Sequence, residues 1–241
     1  MNSLVASVTA AGTAAIVGEN TAYTASDPTI GQVILHAYKN TFKTTVSEEL
    51  LADAGYDVNA ELALAFGEAF GAAENTYYLV GTGSSQPTGV FNKTADKSDV
   101  SKSTGPTKAD LLAILYGLPR QYRAGACWVM KDATVAMVAA LKEDIDTAGT
   151  TPYWWTDARA GEPPMLMGYP VYTDESVAAV GSNAKAICFG NFQYYAVGER
   201  GPLEIKRLTG AVEYGTVFAG AHRIDGKPLT TDAFYVAACG A

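Results

Sequence analysis

The first 36 residues constrain this chain most. "MNSLVASVTAAGTAAIV" (1–17) is made of small and β-branched residues with no helical period, the composition of an extended arm or strand. "GENTAYTASDPTIGQ" follows, polar and turn-rich, with Asp27-Pro28 and Gly31. "VILHAYKNTFKTTVSEELL" then alternates as a strand does. Two extended segments joined at a polar tip predict a long hairpin. Such a hairpin leaves backbone groups unpaired and has little core of its own, so it needs a partner surface.

The remainder can build a core. The 241 residues are 48% hydrophobic and only 17% charged, enough for one large domain or two small intertwined ones. A formal net charge of -8 argues against a broad nucleic-acid-binding face, which needs clustered Lys and Arg, but leaves room for a small basic patch. Cys127, Cys188 and Cys239 are odd in number and widely spaced, with no CxxC or Cys/His ligand pattern. Buried reduced thiols are expected, without a disulfide framework or a metal site. No apolar run reaches the roughly 18 residues of a membrane span, and the N-terminus lacks the charged start of a signal peptide. The expectation is a soluble protein made in a reducing compartment.

A helix is the next predicted element. Asp57 can cap it, and Val58, Leu62, Phe66, Phe70, Ala73 and Tyr77 recur at spacings of three or four, predicting a helix over about 58–78. At 1.5 Å per residue it spans roughly 30 Å. Glu61, Glu68 and Asn75 form a different stripe, and Gly67 and Gly71 would let another backbone approach closely. The glycine-rich loop inside "NTYYLVGTGSSQPTGVFN" (75–92) follows this helix. A phosphate-binding loop instead follows a strand and opens a helix, and the Lys-Ser/Thr pair and the G-x-G-x-x-G spacing are both missing. Gly81, Gly83 and Pro87 therefore predict turn geometry.

Downstream, Thr107 and Asp110 predict a capped helix carrying Leu111, Leu112, Leu115 and Leu118, stopped by Pro119. "GACWVM" predicts a buried strand, and a further helix begins near Asp132. Residues 143–164 look irregular and hold Trp154 and Trp155. Short strands follow at "MLMGYPVYT", "KAICFGNF", "YYAVG" and "LEIKRL", then two more joined through Asp225-Gly226. Helices interrupt strands without a βαβ rhythm, which is the α+β class.

Catalytic patterns do not emerge. His36 and His222, the two histidines, have no neighbouring nucleophile motif. Glu143, Asp144 and Asp146 lack the twelve-residue calcium-loop pattern. Asp174 and Glu175 are adjacent in a turn and would not converge on one substrate. Trp154 and Trp155 fit a protein-interface anchor better than a sugar platform. No enzyme activity and no cofactor is expected.

The order of segments resembles the major capsid proteins of tailed bacteriophages, the fold named after phage Hong Kong 97. The matching stretches are "VGENTAYTASDPTIGQVIL" (17–35), "TTVSEELLADAG" (44–55), the helix, "LVGTGSSQPTGVFN" (79–92), "WVMKDATVAMVAALKED" (128–144), "GEPPMLMGYPVYTDE" (161–175), "AICFGNFQYYAVGERGPLEIKRL" (186–208) and "HRIDGKPL" (222–229) with "DAFYV" (232–236). They are collinear across almost the whole chain. The resemblance implies that residues 1–36 are an extended loop reaching over a neighbouring subunit, with Glu19, Tyr23, Asp27 and Pro28 in inter-subunit contact. It implies a peripheral domain of 37–106 and 203–241 with the 58–78 helix as its spine, and an axial domain of 107–202 with Trp154 and Trp155 in its loops. Gly81, Gly83 and Pro87 would connect the two.

The function implied is a structural subunit of an icosahedral phage or prophage shell, self-assembling through hexamers and pentamers around double-stranded DNA. It would be made in the bacterial host cytoplasm and carried in the virion, contacting DNA weakly and no membrane. Scaffold, protease and portal proteins are the partners the family implies. Two departures bear on this. Family members carry an N-terminal arm ahead of the extended loop, so Met1 is expected to mark a shortened chain, giving monomers or a loose capsomer. Some members weld neighbouring subunits through a Lys in that loop and an Asn in the peripheral domain; residues 1–36 hold no Lys and "LTGAVEYGTVFAGAH" (208–222) holds no Asn, so no such cross-links are expected. An encapsulin-type compartment shell has the same fold and stays open as an alternative, as does a carbohydrate-binding module using Trp154 and Trp155; an enzyme is the least favoured.

Overall fold

The computed structural model describes all residues except 1–2, 11–13, 24, 27–28, 56, 102–104, 142–154, 157–162, 213 and 241. The chain opens with β1 (Ser3–Ala10) and β2 (Thr29–Leu35), paired antiparallel from Ser3 opposite Leu35 to Ala10 opposite Thr29. The expected hairpin therefore forms. The strand expected to run on from Val33 through Leu51 is interrupted twice. It breaks at His36-Ala37 and resumes as β3 (Tyr38–Ser47), and Glu48–Asp53 is a short helix, α1. Ser47 explains the second break: its hydroxyl accepts from the Leu50 N–H, and Glu48 and Glu49 sit in the first turn, where a helix N-terminus favours negative charge.

Helix α2 (Val58–Val80) extends two residues past expectation and is capped by Asp57, whose carboxylate accepts from Asn59 and Ala60 N–H. It is followed by β4 (Lys97–Val100), α3 (Lys108–Gly117), the single turn α4 (Arg120–Arg123), β5 (Cys127–Met130) and α5 (Asp132–Ala139). Short strands β6 (Trp155–Thr156), β7 (Met165–Leu166) and β8 (Tyr169–Thr173) precede β9 (Lys185–Gly190) and β10 (Tyr195–Glu199). The chain ends with β11 (Glu204–Val212), β12 (Gly215–Pro228) and β13 (Phe234–Cys239).

One expected turn is absent. β12 runs unbroken through Asp225-Gly226 and pairs there with β10, Asp225 lying opposite Gly198 and Gly226 opposite Val197. Asp225 is wholly buried, and a Cβ on Gly226 would stand 2.6 Å from Tyr195 Oη and 2.7 Å from Tyr78 Cδ1. The Asp-Gly pair thus serves close approach and a buried hydrogen bond, two uses that share a sequence signature with a hairpin turn.

Two larger sheets carry the body. In the first, β12 is flanked by β3 on one side and by β10 and β11 on the other. The second has the order β4-β13-β9-β5-β8-β7-β6. Its central strands β13, β9 and β5 are buried on both faces, and their alternation divides two cores. Trp128, Met130, Ile187 and Phe189 point to one side, joining Leu111, Ile114, Leu115 and Leu118. Val129, Cys188 and Val236 point to the other, joining Leu79, Val90 and Phe91. Within α3, Ile114 takes the inward position while Leu112 is exposed. A third core lies between α2 and the first sheet, where Phe66 and Phe70 meet Val46 and Phe218. Helix α2 therefore serves both bodies: Phe66 and Phe70 in the first sheet's core, Leu79 in the second's.

Candidate assembly surfaces

The hairpin is clasped to its own body near its root. Leu35 is buried and lies against Gly198, where a Cβ would come within 3.0 Å of Leu35 Cδ1. The His36 N–H donates to Asp225 Oδ2 at 2.5 Å, and Lys227 Nζ donates to the Ile34 carbonyl at 2.8 Å. Beyond this clasp Glu19 is exposed, Tyr23 is 92% exposed and Ile16 fully so. Ile16 and Tyr23, in the segment between β1 and β2, present large side chains to solvent. Asp27 and Pro28 lie outside the described residues. Leu35 and Lys227 carry no motif in the sequence, and Asp225 reads there as a turn residue.

The loop after α2 is shaped by backbone contacts. The Gly81 N–H donates to the Tyr77 carbonyl and its carbonyl accepts from Gly89 N–H; a Cβ there would stand 2.3 Å from Tyr77 O and 2.4 Å from Pro87 O. Gly83 adopts φ +77°, a left-handed conformation that favours glycine, and its N–H donates to the Pro87 carbonyl at 3.1 Å. Thr88 N–H then donates to Gly226 O, and Tyr195 Oη donates to Thr88 O at 2.9 Å. Burial, followed by the charges of Tyr78 and Asp225, holds the Tyr195 phenol above its ordinary range, so it stays a neutral donor. The loop thereby ties α2 to β12 and leads into the second sheet through Val90 and Phe91. Trp155 lies in β6 opposite Leu166 of β7, while Trp154, Glu143, Asp144 and Asp146 lie outside the described residues.

The chemistry-bearing side chains are spent on structure. His222 Nε2 lies 2.6 Å from Glu74 Oε1 on α2, with the ring edge-on to Phe70, and His36 contributes its backbone N–H to the clasp. Neither imidazole bonds a hydroxyl or a thiol among the described residues. Asp174 accepts from Ser176 N–H at 2.8 Å, from the Ser176 hydroxyl and from the Asn75 amide. Partial burial alone would raise its pKa; the bonds from Ser176 and Asn75 outweigh this and hold the carboxyl below the ordinary range. Glu175 turns away to Lys131 at 2.9 Å. The three cysteines are free thiols, and burial pushes Cys127 up to about 11 and Cys188 higher still, which suppresses the reactive thiolate. No group of three or more His, Cys, Asp or Glu among the described residues could hold a metal ion. No described helix is long and apolar enough to cross a membrane.

An α+β body with a long helix shared by two sheets and a strand pair projecting from it has known counterparts. The model of the phage capsid family matches residues 3–239, and the chain belongs to that family. Among solved structures, the capsid of a native GTA particle superposes with a TM-score of 0.86 at 25% identity, covering 100% of this chain and 85% of that one. A structure of Gordonia phage Cozz gives 0.73 at 12% identity, over 99% and 81%. The holo-SrpI encapsulin complex from Synechococcus elongatus gives 0.61 at 14% identity, over 88% and 77%. The last two show the fold alone. No curated protein matches. The chain has the Hong Kong 97-type fold and is a structural capsid subunit, a component of a virion that associates with copies of itself.

Proposed function

We propose that this chain tiles an icosahedral phage or prophage shell through hexameric and pentameric capsomers enclosing double-stranded DNA. The observation that carries the proposal is the hairpin: clasped to its own body at the root by two hydrogen bonds, it leaves Ile16 and Tyr23 exposed beyond. A strand pair of this kind is stabilised by lying on a second subunit, which couples its ordering to assembly. Each such contact can be weak, because closed symmetry repeats it many times.

In this reading residues 1–36 are the inter-subunit loop, with Glu19, Tyr23, Asp27 and Pro28 in contact with a neighbour. Residues 37–106 and 203–241 form a peripheral domain, 107–202 an axial domain near the capsomer axis with Trp154 and Trp155 in its loops, and Gly81, Gly83 and Pro87 the connection between them. The net charge of -8 limits adhesion to packaged DNA, so the genome can move inside. Scaffold, protease and portal proteins are the expected partners during assembly in the host cytoplasm. Electron microscopy of the full gene product after expression tests the proposal. Thin shells of uniform diameter are expected; a protein that stays strictly monomeric at high concentration would overturn it.

A further inference from the structure

Lys39 and Lys43 are the only Lys or Arg among the first 92 residues. Both project from the same face of β3, since residues four apart on a strand share a face, while the intervening Phe42 packs on Phe66 and Phe70 of α2. The face away from α2 continues across the sheet. Arg223 of β12 stands directly opposite Lys39, and Lys43 and Lys206 of β11 flank Ala219 from either side. With Arg200 they line a groove of about 560 Å³ in which Glu204 is the one acid. Like charges set opposite one another on a sheet destabilise it. Among the described residues Lys39, Lys43 and Arg223 have no ion-pair partner to relieve this. Lys206 pairs with Glu204 at 3.5 Å, while Lys39, Lys43 and Arg223 leave the β3–β12 side of the groove cationic.

The complementary charge is on the same chain. Residues 44–92 hold seven acids and no Lys or Arg. Five of them, Glu48, Glu49, Asp53, Asp57 and Glu61, are exposed around α1 and the first turn of α2. The two patches are separated along β3: Lys43 and Lys39 stand five and nine residues from Glu48, roughly 17 and 30 Å along an extended strand. One copy cannot close them on itself.

We propose that the groove receives the acidic α1–α2 corner of a second copy of this chain. This deepens, and rests on, the capsid-subunit reading. The contact joins two different patches, so it is head-to-tail, and it closes into a ring when the rotation between copies allows. Opposed fields across it set register and speed encounter, and salt weakens it.

Sedimentation equilibrium of the wild-type chain at low and high salt, with charge-reversal variants, tests this. The doubles K39E/K43E and E48K/E49K are each expected to weaken association by at least about tenfold at low salt. Mixing the two variants is expected to restore hetero-association to within about threefold of wild type. These side chains are exposed, so both variants should keep the wild-type circular dichroism.

Unchanged association of K39E/K43E overturns the proposal, as does restoration by reversing Glu19 while reversal at Glu48 and Glu49 has no effect. Wild-type-like association of K39E/K43E together with lost retention of duplex DNA would make the groove a nucleic-acid site and likewise overturn it. Normal shells from both wild type and K39E/K43E sink the groove assignment alone. A wild-type chain that never associates sinks the subunit reading and this inference with it.

Discussion

Gly81 marks where side-chain size matters most. A methyl group there would meet two backbone oxygens at 2.3 and 2.4 Å, and backbone cannot step aside as a side chain can. Gly81→Ala is expected to cost about 2–4 kcal/mol by urea unfolding. Asp225 makes a different kind of contribution. Asp225→Ala leaves the His36 and Gly226 amides without their acceptor, each loss worth about 1–3 kcal/mol when buried. Amide exchange over 30–36 should accelerate in that variant while the core of the second sheet keeps its protection; equal acceleration everywhere would place Asp225 in general folding instead. The sequence marked Gly81 as a turn residue because helix-then-glycine has one common meaning. It misassigned Asp225-Gly226 because the same two letters serve a hairpin turn and a buried contact, and only tertiary neighbours separate them.

Among the elements, α2 and α3 were legible because caps and apolar spacing agreed. Thr107 Oγ1 accepts from Asp110 N–H at 3.2 Å and the Asp110 carboxylate accepts from Thr107 N–H at 2.9 Å, with Lys97 at 3.1 Å. Partial burial would raise the Asp110 pKa, but the Thr107 bonds and Lys97 outweigh it and hold the carboxyl low. A depressed folded-state value stabilises above the unfolded-state value near about 4, and that stabilisation is lost as pH falls through the lower folded value. Asp110→Ala should therefore cost about 1 kcal/mol at neutral pH, with the gap to wild type narrowing below about pH 4 in thermal melts. Gly67 and Gly71 were expected to admit another backbone, yet among the described residues a Cβ on either meets nothing outside its own helix backbone within 4 Å. Gly67→Ala should stabilise the isolated chain by about 0.5–1 kcal/mol. If a neighbouring subunit packs on this face, the same substitution lowers shell yield by electron microscopy, which separates the two uses. Helix α1 was misread because six residues are too few for a period to show, and Ser47 was its only cue.

Across the whole molecule, α2 couples two cores. Phe66 is fully buried against the first sheet and Leu79 nearly so against the second. Phe66→Ala is expected to cost about 3–5 kcal/mol. Because the helix is common to both sheets, loss of either core should register in one cooperative transition by both circular dichroism and tryptophan fluorescence; two separated transitions would show the sheets to be independent. That the first 36 residues form a strand pair was legible from their small, β-branched composition and the polar turn between them. Which surface it leans on was not, because its clasp is made by residues nearly two hundred positions away.

The form of that clasp has a consequence for how freely the hairpin can vary. Its two hydrogen bonds grip main-chain atoms of the limb, the amide of His36 and the carbonyl of Ile34, which every substitution short of proline preserves. The identity of the attachment is written in Asp225 and Lys227, on the torso. The projecting residues can therefore change without altering the two hydrogen bonds that hold the limb.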